Sequence, residues 1–303
     1  MRNLTLLFVL AFLVLASCES NEFIQVEGNQ APNYKGVSML KIENYINRLY
    51  IDLMGREPTD SERLFASKRL KDNNLSIDTR DSLVFEIQND TNYRVGDSSY
   101  RHAYIQRMYD LMKYRFIEGA ADPEVSQKLG NIKFAKEIAR LNGDSVRVKQ
   151  MEFEAKKYEN ILNWKYAYRN NADGYPELCG YLMNNGIYDV INMGTFNFIN
   201  AAFDDVLGRW PNKEEFDAAY AIVEKNEPKV VFNQVAQNKQ EFINALVESD
   251  AFFESQIRWW YFQYLRNEIE PVFLYKLLLV YNTSYDIEEV QRKILIRDDY
   301  AQF

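Results

Sequence analysis

The chain has 303 residues, 47% of them apolar and 15% aromatic, which is enough apolar material for a packed core and excludes a disordered chain. With 36 basic against 44 acidic residues the net charge is −8, a balance that repels phosphate backbones and excludes nucleic acid as an expected partner. One histidine (His102) and two cysteines (Cys18 and Cys179), with no Gly-x-Ser-x-Gly turn, glycine-rich phosphate loop or calcium-loop spacing, point to no catalytic residue, no metal site and no cofactor, leaving open only chemistry done by carboxylates.

The first element is an N-terminal signal. Arg2 supplies a positive start, Leu4 to Leu15 an apolar run, and small Ala16 and Ser17 precede Cys18. The run is shorter than the roughly 20 residues of a membrane span, so anchoring is expected rather than spanning. Residues 15–18 (Leu-Ala-Ser-Cys) resemble the lipobox of bacterial lipoproteins. The resemblance implies cleavage after residue 17 and acylation of Cys18, which then holds the chain to a lipid bilayer. Cys179 is left as the only free thiol, without an intramolecular disulfide partner. Residues 18–37 are polar, with Gly28, Pro32 and Gly36 as punctuation, and read as a tether. Glu19 and Glu22 behind the anchor partly resemble the acidic surface-export signal of Bacteroidetes lipoproteins, which implies display on the outer membrane facing the exterior.

From Val37 the pattern is helical. Ile42, Tyr45, Ile46, Leu49, Tyr50, Leu53 and Met54 fall on one helix face, as do Ile105, Met108, Tyr109, Met112 and Phe116, and again Phe196, Ile199, Phe203, Val206 and Leu207. Lys229 to Phe232 is the one short β-branched run, and its flanks suit a helix connection or a strand. The fold class is therefore all-α.

One segment recurs without a gap. Tyr45, Ile46, Asn47, Tyr50, Asp52, Leu53, Met54, Gly55, Arg56, Pro58 and Glu62 are matched at constant offset by Phe198, Ile199, Asn200, Phe203, Asp205, Val206, Leu207, Gly208, Arg209, Pro211 and Glu215. Gly55 and Gly208 suit the left-handed residue that closes a helix, Pro58 and Pro211 stop its continuation, and Thr59 with Glu62, or Asn212 with Glu215, has capping-box spacing for a new helix. Each unit is a helix, a corner and a second helix. Arg56 and Arg209, just past a helix end, are placed to satisfy exposed carbonyls or to pair with a carboxylate such as Asp52 or Asp205. A further echo links Ile87, Asp90 and Tyr93 to Val247, Asp250 and Phe253, and a degenerate third unit is expected from Trp259 through Pro271 to Tyr300.

The corner, Leu-Gly-Arg-x-Pro-Thr-x-x-Glu, carried by Met54–Glu62 and Leu207–Glu215, resembles all-helical modules of phycobilisome linker proteins and related domains of secreted bacterial proteins. It covers about 20 residues per copy and implies a helical scaffold or linker role without pigment. The expected organisation is a signal peptide (1–17), a lipid-anchored tether (18–37), a first helical module (38–118), an inserted charged helical hairpin broken at Gly143 and Asp144 (119–174), a second module (175–257) and the degenerate third (258–303).

Two clusters are candidate partner or glycan contacts. Trp259 and Trp260 head a run of five ring residues broken only by Gln263, and on a helix its members diverge, so some are core and one tryptophan is left as a candidate exposed anchor. Tyr181, Asn184, Asn185 and Tyr188 lie in an amide-rich stretch that reads as a binding loop or as a turn into the second unit. Adjacent carboxylates such as Asp204 and Asp205 diverge by about 100° on a helix and do not form an acid-base pair. The expectation is a non-enzymatic outer-membrane lipoprotein, an accessory or scaffold subunit of an outer-membrane protein assembly for secretion, insertion or uptake. The alternative is a surface glycan-binding lipoprotein working beside a transporter.

Overall fold

Helix α1 (Met39–Met54) starts where the Ser38 hydroxyl accepts the Lys41 amide and ends at Gly55, left-handed at φ 73°, whose N–H bonds the Ile51 carbonyl. Its buried face is Ile42, Tyr45, Ile46, Leu49, Tyr50, Leu53 and Met54, the stripe that the spacing predicts. The computed structural model describes residues 34–303; Cys18, the expected signal 1–17 and the tether up to residue 33 lie outside the described residues. Contacts divide the chain into a first unit, 1–36, in which Tyr34–Gly36 form a 3-10 turn, and a body, Val37–Phe303, to which the following description refers.

The chain continues through α2 (Asp60–Asp72), α3 (Ile77–Asn89), α4 (Tyr100–Ile117), α5 (Asp122–Leu141), α6 (Ser145–Arg169), α7 (Tyr175–Met183), α8 (Gly186–Ile191) and α9 (Thr195–Leu207). It then forms α10 (Lys213–Lys225), the strands β1 (Lys229–Val231) and β2 (Gln234–Ala236), and α11 (Lys239–Val247), α12 (Asp250–Leu265), α13 (Pro271–Ser284), α14 (Ile287–Leu295) and α15 (Asp298–Ala301). The fold is all-α, 74% helical. The run Lys229–Phe232, open between strand and helix connection in the sequence, opens an antiparallel hairpin with Val230 opposite Val235. Its two-residue turn, Phe232 and Asn233, has positive φ at both positions, the geometry that matches strand twist.

The corners fold as their residues dictate. Thr59 and Glu62 make a reciprocal capping box at the start of α2, Asn212 and Glu215 make the same box at α10, and Gly208 closes α9 at φ 64°. The insertion is a two-helix hairpin, α5 against α6, turning at Gly143 (φ 70°) with Asp144 capping α6. Packing of α1 on α2 and α4, and of α3 on α4, is reproduced by α9 on α10 and α12, and by α11 on α12.

The duplication runs further than the corners. The buried faces of α7 (Tyr175, Leu178, Cys179, Leu182, Met183) and α14 (Ile287, Val290, Gln291, Ile294, Leu295) match position for position at constant spacing. Helix α7 packs on α4 and α11, and α14 packs on the equivalent pair, α12 and α3. Basic residues in equivalent third helices, Arg80 of α3 and Lys239 of α11, pair with acids of the closing helices, Asp298 and Asp189. The stretch expected as a third unit, 258–303, therefore supplies α13–α15, which occupy in the second half the places of α6–α8 in the first, and α5 has no counterpart. The Ile87–Asp90–Tyr93 echo does not extend past the end of α3. Asp90 caps α3 whereas Asp250 opens α12, and Tyr93 stands exposed on the 90–99 loop, which has no counterpart in the two residues between α11 and α12.

Candidate functional site

Arg56 does not meet Asp52, nor Arg209 Asp205. The Arg56 guanidinium lies between Glu62, at 2.9 Å, and Asp97, at 2.5 Å, and Arg209 pairs with Glu215 at 2.6 Å. Each arginine also bonds a carbonyl just beyond its own peptide, Glu57 O or Trp210 O. Burial raises the Glu62 pKa, but the Arg56 guanidinium, the Thr59 amide and the Tyr100 hydroxyl together outweigh it and hold this carboxyl at about 2. These residues hold the corner in shape. Asp52 and Asp205, on the inward side of α1 and α9, accept tyrosine hydroxyls instead, and burial pushes both carboxyls up despite those bonds.

Beside each corner, the end of the first helix and the flank of the fourth enclose a groove. On α12 the groove presents Ser255, Arg258, Trp259 and Phe262; on α4 it presents Ala103, Gln106, Arg107 and Asp110, the same four positions at constant spacing. The second groove encloses about 600 Å3 and the first about 350 Å3. Two differences explain this. Arg107 crosses the first groove so closely that a Cβ on Gly55 would sit 3.2 Å from its Cδ, whereas a Cβ on Gly208 would meet nothing within 4 Å. Residues Gly96–Ser98 of the long loop also line the first groove, with Asp97 tied to Arg56, and the second half has no such loop.

Among the sequence candidates, Trp259 is half-buried and lines the second groove. The Arg115 guanidinium lies 4.7 Å from its ring centroid and donates to Gln256 Oε1 at 2.8 Å. The expectation of an exposed anchor fails for Trp260, which is 1% exposed and packed against Tyr175 and Tyr264, because its side of α12 faces α7 and the core. The amide-rich stretch is not a loop. It forms α7 and α8, with Asn185 buried as the cap of α8, accepting from Ile187 and Tyr188 and donating to the carbonyls of Tyr181 and Leu182. Asn184 is buried and bonds Gln240, Tyr188 is fully buried on Asp205, and half-buried Tyr181 bonds Asp173 at 3.3 Å. These four are structural, and the structure does not bring them to the tryptophan.

A third cavity, of about 580 Å3, was not legible in the sequence. On its wall Glu288, 6% exposed, accepts from Arg101 and from the Tyr168 hydroxyl, each at 2.6 Å. Burial raises the Glu288 pKa and outweighs the neighbouring guanidinium. His102 accepts from Arg169 at Nδ1, and burial together with Arg169 lowers its pKa. Among the described residues no group of three or more His, Cys, Asp or Glu could hold a metal ion, and no helix is long and apolar enough to cross a membrane.

No family model, no curated protein and no solved structure matches the chain. The likeness of the corner to linker modules thus rests on the corner residues themselves.

Proposed function

We propose that the chain is a lipid-anchored, non-catalytic accessory or scaffold subunit of an outer-membrane protein assembly, displayed toward the cell exterior. The lipobox-like residues ending at Cys18 support the anchor. The observation that carries the scaffold role is an apolar row left uncovered on the hairpin. Val125 and Ala139 of α5 are buried, while Phe134, Ile138 and Leu141 project on the opposite face at 69%, 45% and 72% exposure. On α6, Val146 beside the turn and Phe153 two turns further on are also exposed, at 67% and 57%. Ordinary solvated faces carry scattered apolar residues; a helical row with period near 3.6 on the face opposite the buried residues of α5 is what a partner helix or sheet would cover.

The test is purification from native membranes in mild detergent through a tag joined by a flexible linker after Phe303, with co-purifying proteins quantified. A near-stoichiometric outer-membrane protein that is lost on Phe134→Ser with Leu141→Ser, at unchanged melting temperature, is the expected result. An isolated chain, or a partner retained by the double variant, overturns the reading.

A further inference from the structure

We infer that the groove at the second corner is a saccharide site, with a pyranose stacked on Trp259. The groove shares no lining residue with the hairpin, and the inference stands independently of the scaffold reading.

The two grooves are duplicates that have diverged at the same positions. In the first, Arg107 and the loop carrying Asp97 fill the space beside Gly55. In the second the arginine position is Trp259, the loop is absent, and Gly208 leaves its side of the groove open. The second crevice is thus left open at the positions where the first is filled. Its volume of about 600 Å3 falls within the range of small-ligand sites, roughly 300 to 1,000 Å3.

The side chains select the ligand. Trp259 is fixed before anything binds, with Arg115 over its ring and Trp260 edge-on at 4.7 Å, so stacking costs it little side-chain freedom. Phe262, 48% exposed, extends the apolar floor one turn along α12. Around this floor lie the exposed carboxylates of Asp204 and Glu268, and among the described residues neither makes a hydrogen bond or ion pair through its side chain. Arg258 is engaged by Glu254 at 2.7 Å, and Arg115 by Gln256. A flat apolar ring edged by planar acceptors suits the C–H face and hydroxyls of a neutral sugar. The same carboxylates repel phosphates, nucleotides and uronic acids. An ordinary half-buried tryptophan would account for Trp259 alone, but not for open space and two unengaged carboxylates beside it.

The test is isothermal titration of the full chain, purified in detergent, with a panel of neutral oligosaccharides: glucans of α and β linkage, xylan, mannan and chitin fragments. Binding by at least one member is expected, weakened on the order of tenfold or more by Trp259→Ala, largely kept by Trp259→Phe, weakened by Asp204→Asn with Glu268→Gln, and unchanged by Arg107→Ala in the first groove. Circular dichroism of each variant checks that the fold is kept. Failure of every panel member to bind, or binding that survives Trp259→Ala in a folded chain, overturns the assignment.

Discussion

Tyr300 donates its hydroxyl to Asp52 Oδ2 at 2.8 Å, and Tyr188 makes the equivalent bond to Asp205 Oδ2 at 2.7 Å. The rings repeat as well: Tyr300 packs edge-on to Tyr45 at 6.0 Å, and Tyr188 edge-on to Phe198, the residue equivalent to Tyr45, at 5.9 Å. The last helix of each half closes on the first helix of the other, so the body is two interlocked copies of one arrangement.

Replacing Tyr300 or Tyr188 by Phe keeps the ring and removes one charge-assisted bond, so each substitution is expected to cost about 1 to 3 kcal/mol in denaturant unfolding. Replacing either by Ala also opens a cavity and is expected to cost about 3 to 5 kcal/mol. A Tyr300→Phe variant as stable as the parent would remove the hydroxyl from the account of closure.

Burial raises the pKa of Asp52 and of Asp205. A carboxyl raised in the folded state contributes stability that is complete below its unfolded pKa and lost as pH rises through its folded pKa. Asp52→Asn keeps an acceptor for Tyr300 without the buried charge. Its melting temperature is expected to exceed the parent's at pH 7 and to approach it at pH 4. A lower value at pH 7 would mean that Arg48 and Arg107 make the ionised form the better one.

Glu62 has the opposite sign. Held at about 2, its carboxyl contributes stability that is present above the unfolded value near 4.5 and is lost as pH falls toward 2. Glu62→Gln is expected to lower the melting temperature at pH 7, with the difference shrinking through that acid window. A gap independent of pH from 7 down to 2 would assign Glu62 a packing role only.

Both corner glycines have positive φ, so alanine at either is expected to cost on the order of 1 kcal/mol. Gly55→Ala must in addition displace Arg107 and is expected to destabilise more than Gly208→Ala, whose Cβ enters open groove. Equal losses in thermal melts would show that Arg107 yields freely.

Burial pushes the Cys179 thiol up to about 12. In a Cys18→Ser chain, no thiol is expected to react with Ellman's reagent at pH 8 until denaturant unfolds the body, when one should appear. Rapid reaction of the folded chain would place Cys179 in an opening segment.

The corners were readable because their chemistry is local: Gly, Pro, cap and Glu act within one turn of one another. The α7–α14 correspondence was not, since Cys179 and Gln291, or Tyr175 and Ile287, share a buried position and no residue type. Phe232-Asn233 lacks the glycine that advertises a two-residue turn. Asn184 and Asn185 read as loop residues because amides usually seek water, yet here one caps a short helix and the other bonds across to Gln240. Trp259 was legible as a residue, but the openness around it depends on what Arg107 and the 90–99 loop do in the other half, which no local pattern carries.

Closure between the two ends of the body also constrains the order of events in synthesis. Arg48 of α1 bonds the carbonyls of Tyr264 and Tyr300, and Tyr45 bonds that of Leu295, all contributed by the final 40 residues. A chain growing from its N-terminus holds its first helix without that cover until translation is nearly finished. Contacts so distant along the chain delay collapse. The cover of the first helix is thereby completed only when the last residues have been made.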